Sequence, residues 1–272
     1  MAEDQGGTPE APRLCDYVAW HDAYSDPASS LSARLRQVQA QISAWLDRTP
    51  GSVRVLSSCA GQGHDILGVL EEREYDRARV SGALIELDST NAGAARDWIA
   101  RLGVDFEVVE ADAGTTDAYA GLVPADSVLL SGIMGNISAS DIERLILVSR
   151  QFCAPGGTVL WTRGAQEPDL GPDIRRWFAD AGYTEVACDE WIEGTGMRVG
   201  VEQLTEPPNS WCPASGSSRS AADRPRWQRT CCTFPMCPRP TAPSLALSCA
   251  ASHQPTPARS PCCSAAAGSR RP

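Results

Sequence analysis

Two glycines and two carboxylates are the residues of this 272-residue chain whose types and spacing suggest chemistry. Gly61 and Gly63 stand in "VRVLSSCAGQGHDILGVL", residues 53–70, where an apolar run passes straight into a small-residue turn and then into a second apolar segment. Glycines in such a turn let the backbone come very close to a ligand, because no Cβ intervenes. Glu86 closes the next apolar run, "ALIELD", 23 residues after Gly63, and Asp112 closes the one after that, "VVEADAG". A carboxylate about 20 residues past a glycine turn, at the tip of the adjacent strand, is positioned to accept hydrogen bonds from two vicinal hydroxyls. Three successive strand ends thus carry groups suited to one ligand.

The elements that must hold these groups are legible as an alternation. Leu31, Leu35, Val38, Ile42, Trp45 and Leu46 recur at helical spacing. "SVRVLS" follows as a buried strand, then the glycine turn and a helix expected from near Ile66. "RVSGALIEL" is the second strand, and "STNAGAARDWIARLG" a helix with Ser89 or Thr90 as its cap and Gly103 at its end. "DFEVVEAD" and "SVLLSG" are the third and fourth strands. "SASDIERLILVSRQF" is a helix whose Ser140 and Glu143 have capping-box spacing. "GGTVLWT" is the fifth strand, "PDIRRWFADAG" a helix from Pro172 to Gly182, and "YTEVACDE" with "MRVGVEQL" a closing antiparallel hairpin. Strands alternating with helices predict an α/β fold with a mainly parallel sheet. Ligands of such sheets bind beyond the carboxyl ends of the strands, where the turn at 57–65 falls.

Residues 1–205 carry 16 Arg against 32 Asp and Glu, which argues against a nucleic-acid partner because phosphate contacts need basic surface. All 24 basic residues are Arg, a pattern we read as codon composition rather than function. No apolar run is long enough for a membrane span, and the acidic, polar opening "MAEDQGGTPEAP" is not a secretory signal, so a cytoplasmic protein is expected. Residues 206–272 differ in kind: they hold 12 of the 20 prolines and 7 of the 11 cysteines, with no helical or strand period. Such a tail is expected to be disordered, an extension added without selection. Its Cys231, Cys232, Cys237, Cys262 and Cys263 lack the paired spacing of zinc ligands, so no metal is expected. Cys15, Cys59, Cys153 and Cys188 read as small apolar fillers. The domains are therefore an arm or lid at 1–29, a ligand-binding domain at 30–205, and the tail.

A nicotinamide-type dinucleotide loop requires GxGxxG. Gly61 and Gly63 fit the first two positions, but Ile66 occupies the third and Gly68 comes too late. Residues 50–204 instead resemble the class I S-adenosylmethionine-dependent methyltransferases, and their small-molecule bacterial members in particular. In that resemblance "SSCAGQG" stands where the family has acidic-x-Gly-x-Gly-x-Gly, with Ser57 in place of the acid and Cys59 in place of the first glycine. "ADSVLLSGIMGNIS" is similar to the family's fourth strand with its cleft-lining segment, and "CAPGGTVLWT" to its Pro-Gly-Gly entry into the fifth. The resemblance implies a three-layer Rossmann-like sandwich with an antiparallel C-terminal hairpin strand. It implies that the cofactor lies against Ser57, Cys59, Ala60, Gly61, Gly63 and Asp65. Further contacts fall to Glu86 and Leu87, to Asp112 and Ala113, and to Ser131 and Gly132. Glu86 is thereby assigned to the ribose hydroxyls, Asp112 to the adenine amino group, and Asp65 to the charge missing at Ser57.

Other readings of these residues stay open at this stage. Glu86 or Asp88 serves equally as a helix cap, Asp112 and Asn136 as turn residues, and His64 as a rim residue. "DYVAWHDAYSDPASS" is a lid over the cofactor or a packed surface arm. The expected reaction is attack by a small-molecule acceptor on the sulfonium methyl group, driven mostly by orientation. His21, Asp22 and His64 are the nearby bases, and none is singled out as catalytic. The alternative is a non-catalytic S-adenosylmethionine-binding regulatory or scaffold module. The acceptor and the oligomeric state are not legible.

Overall fold

Seven strands give the sheet its order, β3-β2-β1-β4-β5-β7-β6, and that order decides which strand tips meet. The computed structural model describes residues 22–213, except 165–166 and 193–195. A 3₁₀ turn at Asp22–Ser25 leads into α1, Ser30–Arg48, capped by Ser29, whose hydroxyl accepts from the Ser32 NH. The chain then alternates: β1 Val53–Ser58, α2 His64–Glu72, β2 Val80–Glu86, α3 Ser89–Leu102, β3 Asp105–Glu110, β4 Ala125–Leu130, α4 Ala139–Ser149 and β5 Cys153–Gly164. α5, Gly171–Asp180, and the hairpin β6 Tyr183–Ile192 with β7 Met197–Leu204 complete it. Every pairing from β3 across to β5 is parallel, and β7 runs antiparallel to both β5 and β6.

Both faces of the parallel strands are apolar, as burial on both sides demands. Val55, Leu84, Leu129 and Leu160 face α1, α2 and α3 through Val38, Ile42, Ile66 and Ala95. Leu56, Ile85, Val128 and Trp161 face α4 and α5 through Ile142, Leu145, Ile174 and Phe178. The mainly parallel three-layer α/β sandwich with a reversed C-terminal strand is therefore as the sequence implies.

Several boundaries move, each for a local reason. α2 begins at His64 rather than near Ile66, because Gly63 is its left-handed N-cap and puts Asp65 in the first turn. α3 is capped by Asp88, not Ser89 or Thr90: its carboxylate accepts from the Thr90 and Asn91 NH groups, both at 2.9 Å. α4 is capped by Ser138 with Asp141, not by Ser140 with Glu143; the Ser138 hydroxyl accepts from the Asp141 NH at 3.2 Å and donates to its carboxylate at 2.6 Å. In each case the cap sits one or two residues before the residue first expected, where its side-chain oxygen meets NH groups that have no intrahelical partner. Past β7, Arg150 donates to the Pro207 carbonyl and the Cys212 NH to Gln151. Residues 214–272 and their cysteines lie outside the described residues, as does His21. No described helix is long and apolar enough to cross a membrane.

On the α5 side, Gly200 of β7 lies under Trp161, where a Cβ would come within 2.2 Å of the indole. Two residues on, Glu202 is buried and accepts from the Trp161 Nε1 at 3.3 Å. Burial, with Glu185 nearby, pushes the Glu202 carboxyl up to about 7 from an ordinary 4.5, partly countered by Trp161 and Arg175. A folded value above the unfolded one makes the protonated form the stabilising one. Its contribution is full below about pH 4.5 and is lost as pH rises through about 7. Glu202→Gln keeps the acceptor for Trp161 and removes the charge. Urea unfolding should show parent and variant nearly equal at pH 4, and the variant more stable at pH 8 by on the order of 1–2 kcal/mol.

Candidate functional site

The site is assembled where β1 stops. Cys59, with φ 49°, is the one non-glycine among the described residues in the left-handed region, and Gly61 (φ 55°) and Gly63 (φ 83°) follow it. At Gly63 a Cβ would lie 2.7 Å from Leu67 Cδ1 and 2.9 Å from Leu84 Cδ1, so this glycine answers to both conformation and contact. The loop turns back over the tip of β2, where the Ala60 NH donates to the Ile85 carbonyl at 3.0 Å. The Gly61 NH donates to Glu86 Oε2 at 2.7 Å, and the Asp88 NH to Oε1 at 2.8 Å. Burial raises the Glu86 carboxyl, opposed by the NH groups of Asp88, Gly61 and Leu87. Each oxygen of a carboxylate has two acceptor positions, so these two bonds leave capacity for a ligand's hydroxyls.

The remaining sequence-derived residues fall around this tie with differing geometry. Ser57 is buried in β1, in register with Leu84 on one side and Leu129 on the other. Leu87 is 52% exposed directly after Glu86, an apolar side chain beside a carboxylate at the strand tip. Asp112 does not end β3, which stops at Glu110; it lies two residues on, in a turn, where Oδ1 accepts from the Gly114 NH at 2.8 Å. Ala113 is buried and its carbonyl accepts from the Tyr119 hydroxyl at 2.9 Å. That hydroxyl is also 3.0 Å from Ser58 Oγ, which joins the β1 and β3 ends. Ser131 and Gly132 fall just past β4 rather than within it, and the Gly132 NH donates to Thr162 Oγ1 at 2.7 Å. Asn136 donates to the Gly132 carbonyl at 2.7 Å, so its side chain braces this turn.

Charge gathers between the loop and the β4 tip. Asp65, in the first turn of α2, faces the Ser131 hydroxyl, the Arg34 guanidinium and His64; burial raises its carboxyl and these neighbours oppose the rise. Arg34 is the residue that sequence reasoning missed, and Tyr24 comes from the segment read as a lid or a packed arm. Arg34 is buried on α1 and donates to the Tyr24 hydroxyl at 2.5 Å. A Cβ at Gly132 would lie 3.5 Å from Arg34 Nη1, so the guanidinium reaches the β4 tip. The signal was present: Arg34 occupies the core-facing position between Leu31 and Val38 in an otherwise apolar stripe. Tyr24 brings the arm before α1 into the site, its ring 4.8 Å from His64, which in turn is 5.2 Å from Trp98. Burial holds the Tyr24 hydroxyl up at about 12 and pushes His64 down, so both are neutral near pH 7.

A glycine turn clasping a carboxylate beside converging strand tips places these groups at the switch point of an open α/β sheet. No family profile and no curated protein matches this sequence. Solved structures do match. An O-methyltransferase family protein from Burkholderia thailandensis shares 19% identity at a TM-score of 0.53, over 70% of this chain and 59% of that one. Magnesium protoporphyrin IX methyltransferase from Synechocystis PCC 6803, solved with bound S-adenosylmethionine, shares 13% identity at a TM-score of 0.54, over 70% of this chain and 91% of that one. The CurJ carbon methyltransferase shares 14% at a TM-score of 0.52, over 70% and 59%. The chain therefore has the Rossmann-like fold of these methyltransferases, and spans 59% of the length of the first of them.

The backbone demands of the loop can be separated from its composition. Gly63→Ala should cost about 1–3 kcal/mol in urea unfolding, because it adds left-handed strain to the contacts with Leu67 and Leu84. Cys59→Gly should stay within about 0.5 kcal/mol of the parent, since relief of strain offsets the greater freedom of the unfolded chain.

Proposed function

We propose that the chain binds S-adenosylmethionine along the tips of β1, β2, β3 and β4 and transfers its methyl group to a small-molecule acceptor. The observation that carries this reading is the Glu86 carboxylate, tied at 2.7 Å to the Gly61 NH and so held at the mouth of a loop made of glycine and other small residues. The donor set suits the group. Glu86 retains acceptor positions for two ribose hydroxyls, and the exposed Leu87 offers an apolar rest for a flat base. Asp112, at the next strand tip, is the acceptor for the base's amino group. The methionine portion is a zwitterion, and Asp65 and Arg34 form a matching pair of opposite charges beside Ser131. The methyltransferase fold supports the same assignment.

Bound there, the cofactor supplies an electrophilic methyl group on sulfur. The chain's own part is positional. The loop backbone and Glu86 fix the nucleoside end, while Arg34 and Asp65 fix the amino-acid end. The Tyr24, His64 and Trp98 rings pack against one another at the start of α2. In-line geometry between acceptor and departing sulfur is then the main source of rate, with effective molarities on the order of 10⁵ M or more for well-oriented groups. His64, directly after Gly63 and pushed down by burial, is a described imidazole beside the loop for an acceptor that must lose a proton.

Calorimetric titration of the full chain with S-adenosylmethionine tests the reading. The parent should bind, and Arg34→Ala and Asp112→Ala should each weaken binding about 10- to 100-fold, the worth of a charged or charge-assisted contact. Absence of binding by the folded parent would sink it. Binding without release of S-adenosylhomocysteine across a panel of small acceptors would leave a cofactor-binding regulatory module instead.

A further inference from the structure

α2 starts without a side-chain cap. α3 and α4 have Asp88 and Ser138, whose side chains accept from the first open NH groups. At α2 the N-cap is Gly63, in the left-handed region, which has no side chain to offer. Yet this first turn carries His64 and Asp65, directly after the glycine loop. A helix start without a side-chain cap leaves its order to whatever packs on it.

α1 and the turn before it hold this start at three points. Tyr24, in the 3₁₀ turn, puts its ring 4.8 Å from the His64 imidazole. Arg34 faces the Asp65 carboxylate. The third point is Gln39, whose Nε2 donates to the His64 carbonyl at 2.9 Å. An α-helix pairs that carbonyl with the NH of residue 68, and a carbonyl oxygen has a second acceptor position. The amide therefore adds a bond to the turn without displacing one. Tyr24 and Arg34 act on side chains, whereas Gln39 holds the backbone itself. α1 is anchored in its turn, since Gln37 and Gln41 both donate to Asp189 Oδ2 of β6, at 2.5 and 2.6 Å.

Gly68 shows what the bond from Gln39 requires. It lies inside α2, one turn past His64, and a Cβ there would fall 2.3 Å from Gln39 Nε2 and 3.5 Å from its Cδ. A side chain at 68 would push the amide away from the carbonyl. Glycine inside a helix is unfavourable relative to alanine, so its presence here answers to the close approach of Gln39. The glycine that comes too late for a dinucleotide loop is the surface over which Gln39 reaches the first turn. We propose that Gln39 is a positioning residue of the site: with Gly68 as its complement, it fixes the backbone at His64 and so sets where His64 and Asp65 stand relative to the glycine loop. This inference rests on the cofactor-binding reading for what the turn is positioned to meet, and on the α1 contacts alone for the positioning.

Three readouts on the full-length protein test it together: calorimetric titration with S-adenosylmethionine, thermal unfolding, and the imidazole NMR signals of His64, identified by their loss in His64→Gln. Gln39→Met keeps the length of the side chain and removes the donor. It should weaken cofactor binding about 3- to 10-fold, the worth of one hydrogen bond, and shift the His64 signals with no ligand present. Gly68→Ala should raise the unfolding midpoint more in the Gln39→Ala background than in the parent, where the new Cβ meets the amide. The double variant should thus recover the stability that Gln39→Ala loses, yet bind the cofactor as weakly as Gln39→Ala does; a merely structural role would return affinity with stability. Unmoved His64 signals in Gln39→Met would overturn the inference, as would parent-like cofactor affinity in that variant or in the double variant. A folded parent that binds no cofactor, with the His64 signals still shifted in Gln39→Met, removes the methyl-transfer reading and leaves the positioning.

Discussion

Everything in the site hangs on the bond between the Gly61 NH and the Glu86 carboxylate, 2.7 Å long and largely buried. It joins a loop at the end of β1 to the tip of β2, two places adjacent only because those strands pair in parallel register from Val53 with Val80 to Ser58 with Ile85. A shift of that register by one residue would turn Glu86 to the other face of the sheet. The same carboxylate holds the Asp88 NH, and Asp88 caps α3, so loop, strand tip and helix start form one continuous hydrogen-bonded unit. A charge in such a place is costly, and the NH groups around it make its ionised form tolerable.

The sheet carries this constraint outward. With β1 at the centre of the parallel strands and β4 beside it, the order reverses, and the crevice above that switch point is where an open α/β sheet receives ligands. Arg34 and Tyr24 come to the crevice from before β1, Asp65 from the first turn of α2, and Ser131 and Gly132 from beyond β4. Rigid strands on both sides keep these groups in fixed relation to one another. The reversed β7 then lays Arg198 beside Arg163 at the end of β5.

Opposite charges are distributed unequally along that row of tips. Around β2 and β3 the groups are acidic, with Glu86 and Asp112. At α2 and β4 Asp65 and Arg34 face one another, and at β5 Arg198 grips Asp169 beside Arg163. At the other end of the sheet the charges are structural. Asp76, fully buried, takes Arg73 and Arg79, each at 2.5 Å, and Arg79 donates to the carbonyls of Leu46, Thr49 and Gly51. That cluster closes α1 onto the start of β2.

The sequence by itself determined the alternation of elements, the parallel sheet, the glycine turn, and the placing of Glu86 at a strand tip, because each follows from local periodicity or from spacing along the chain. Asp88 as a cap was one of the readings the sequence left open, whereas the Ser138 cap was missed by two residues, since neighbouring Ser, Thr and Asp side chains compete for the same NH groups. Asp112 was legible as an acidic residue past β3 but not as the acceptor of the Gly114 NH, which depends on the turn it actually adopts. Only the tertiary structure decided that Arg34 meets Asp65 and Tyr24, or that Arg163 and Arg198 stand side by side across β5 and β7. These partners lie up to about 35 residues apart in the chain, and no local pattern encodes which strands pair or in what register. Interaction between charges falls with distance in space, so their chemistry exists only once the fold has brought them together.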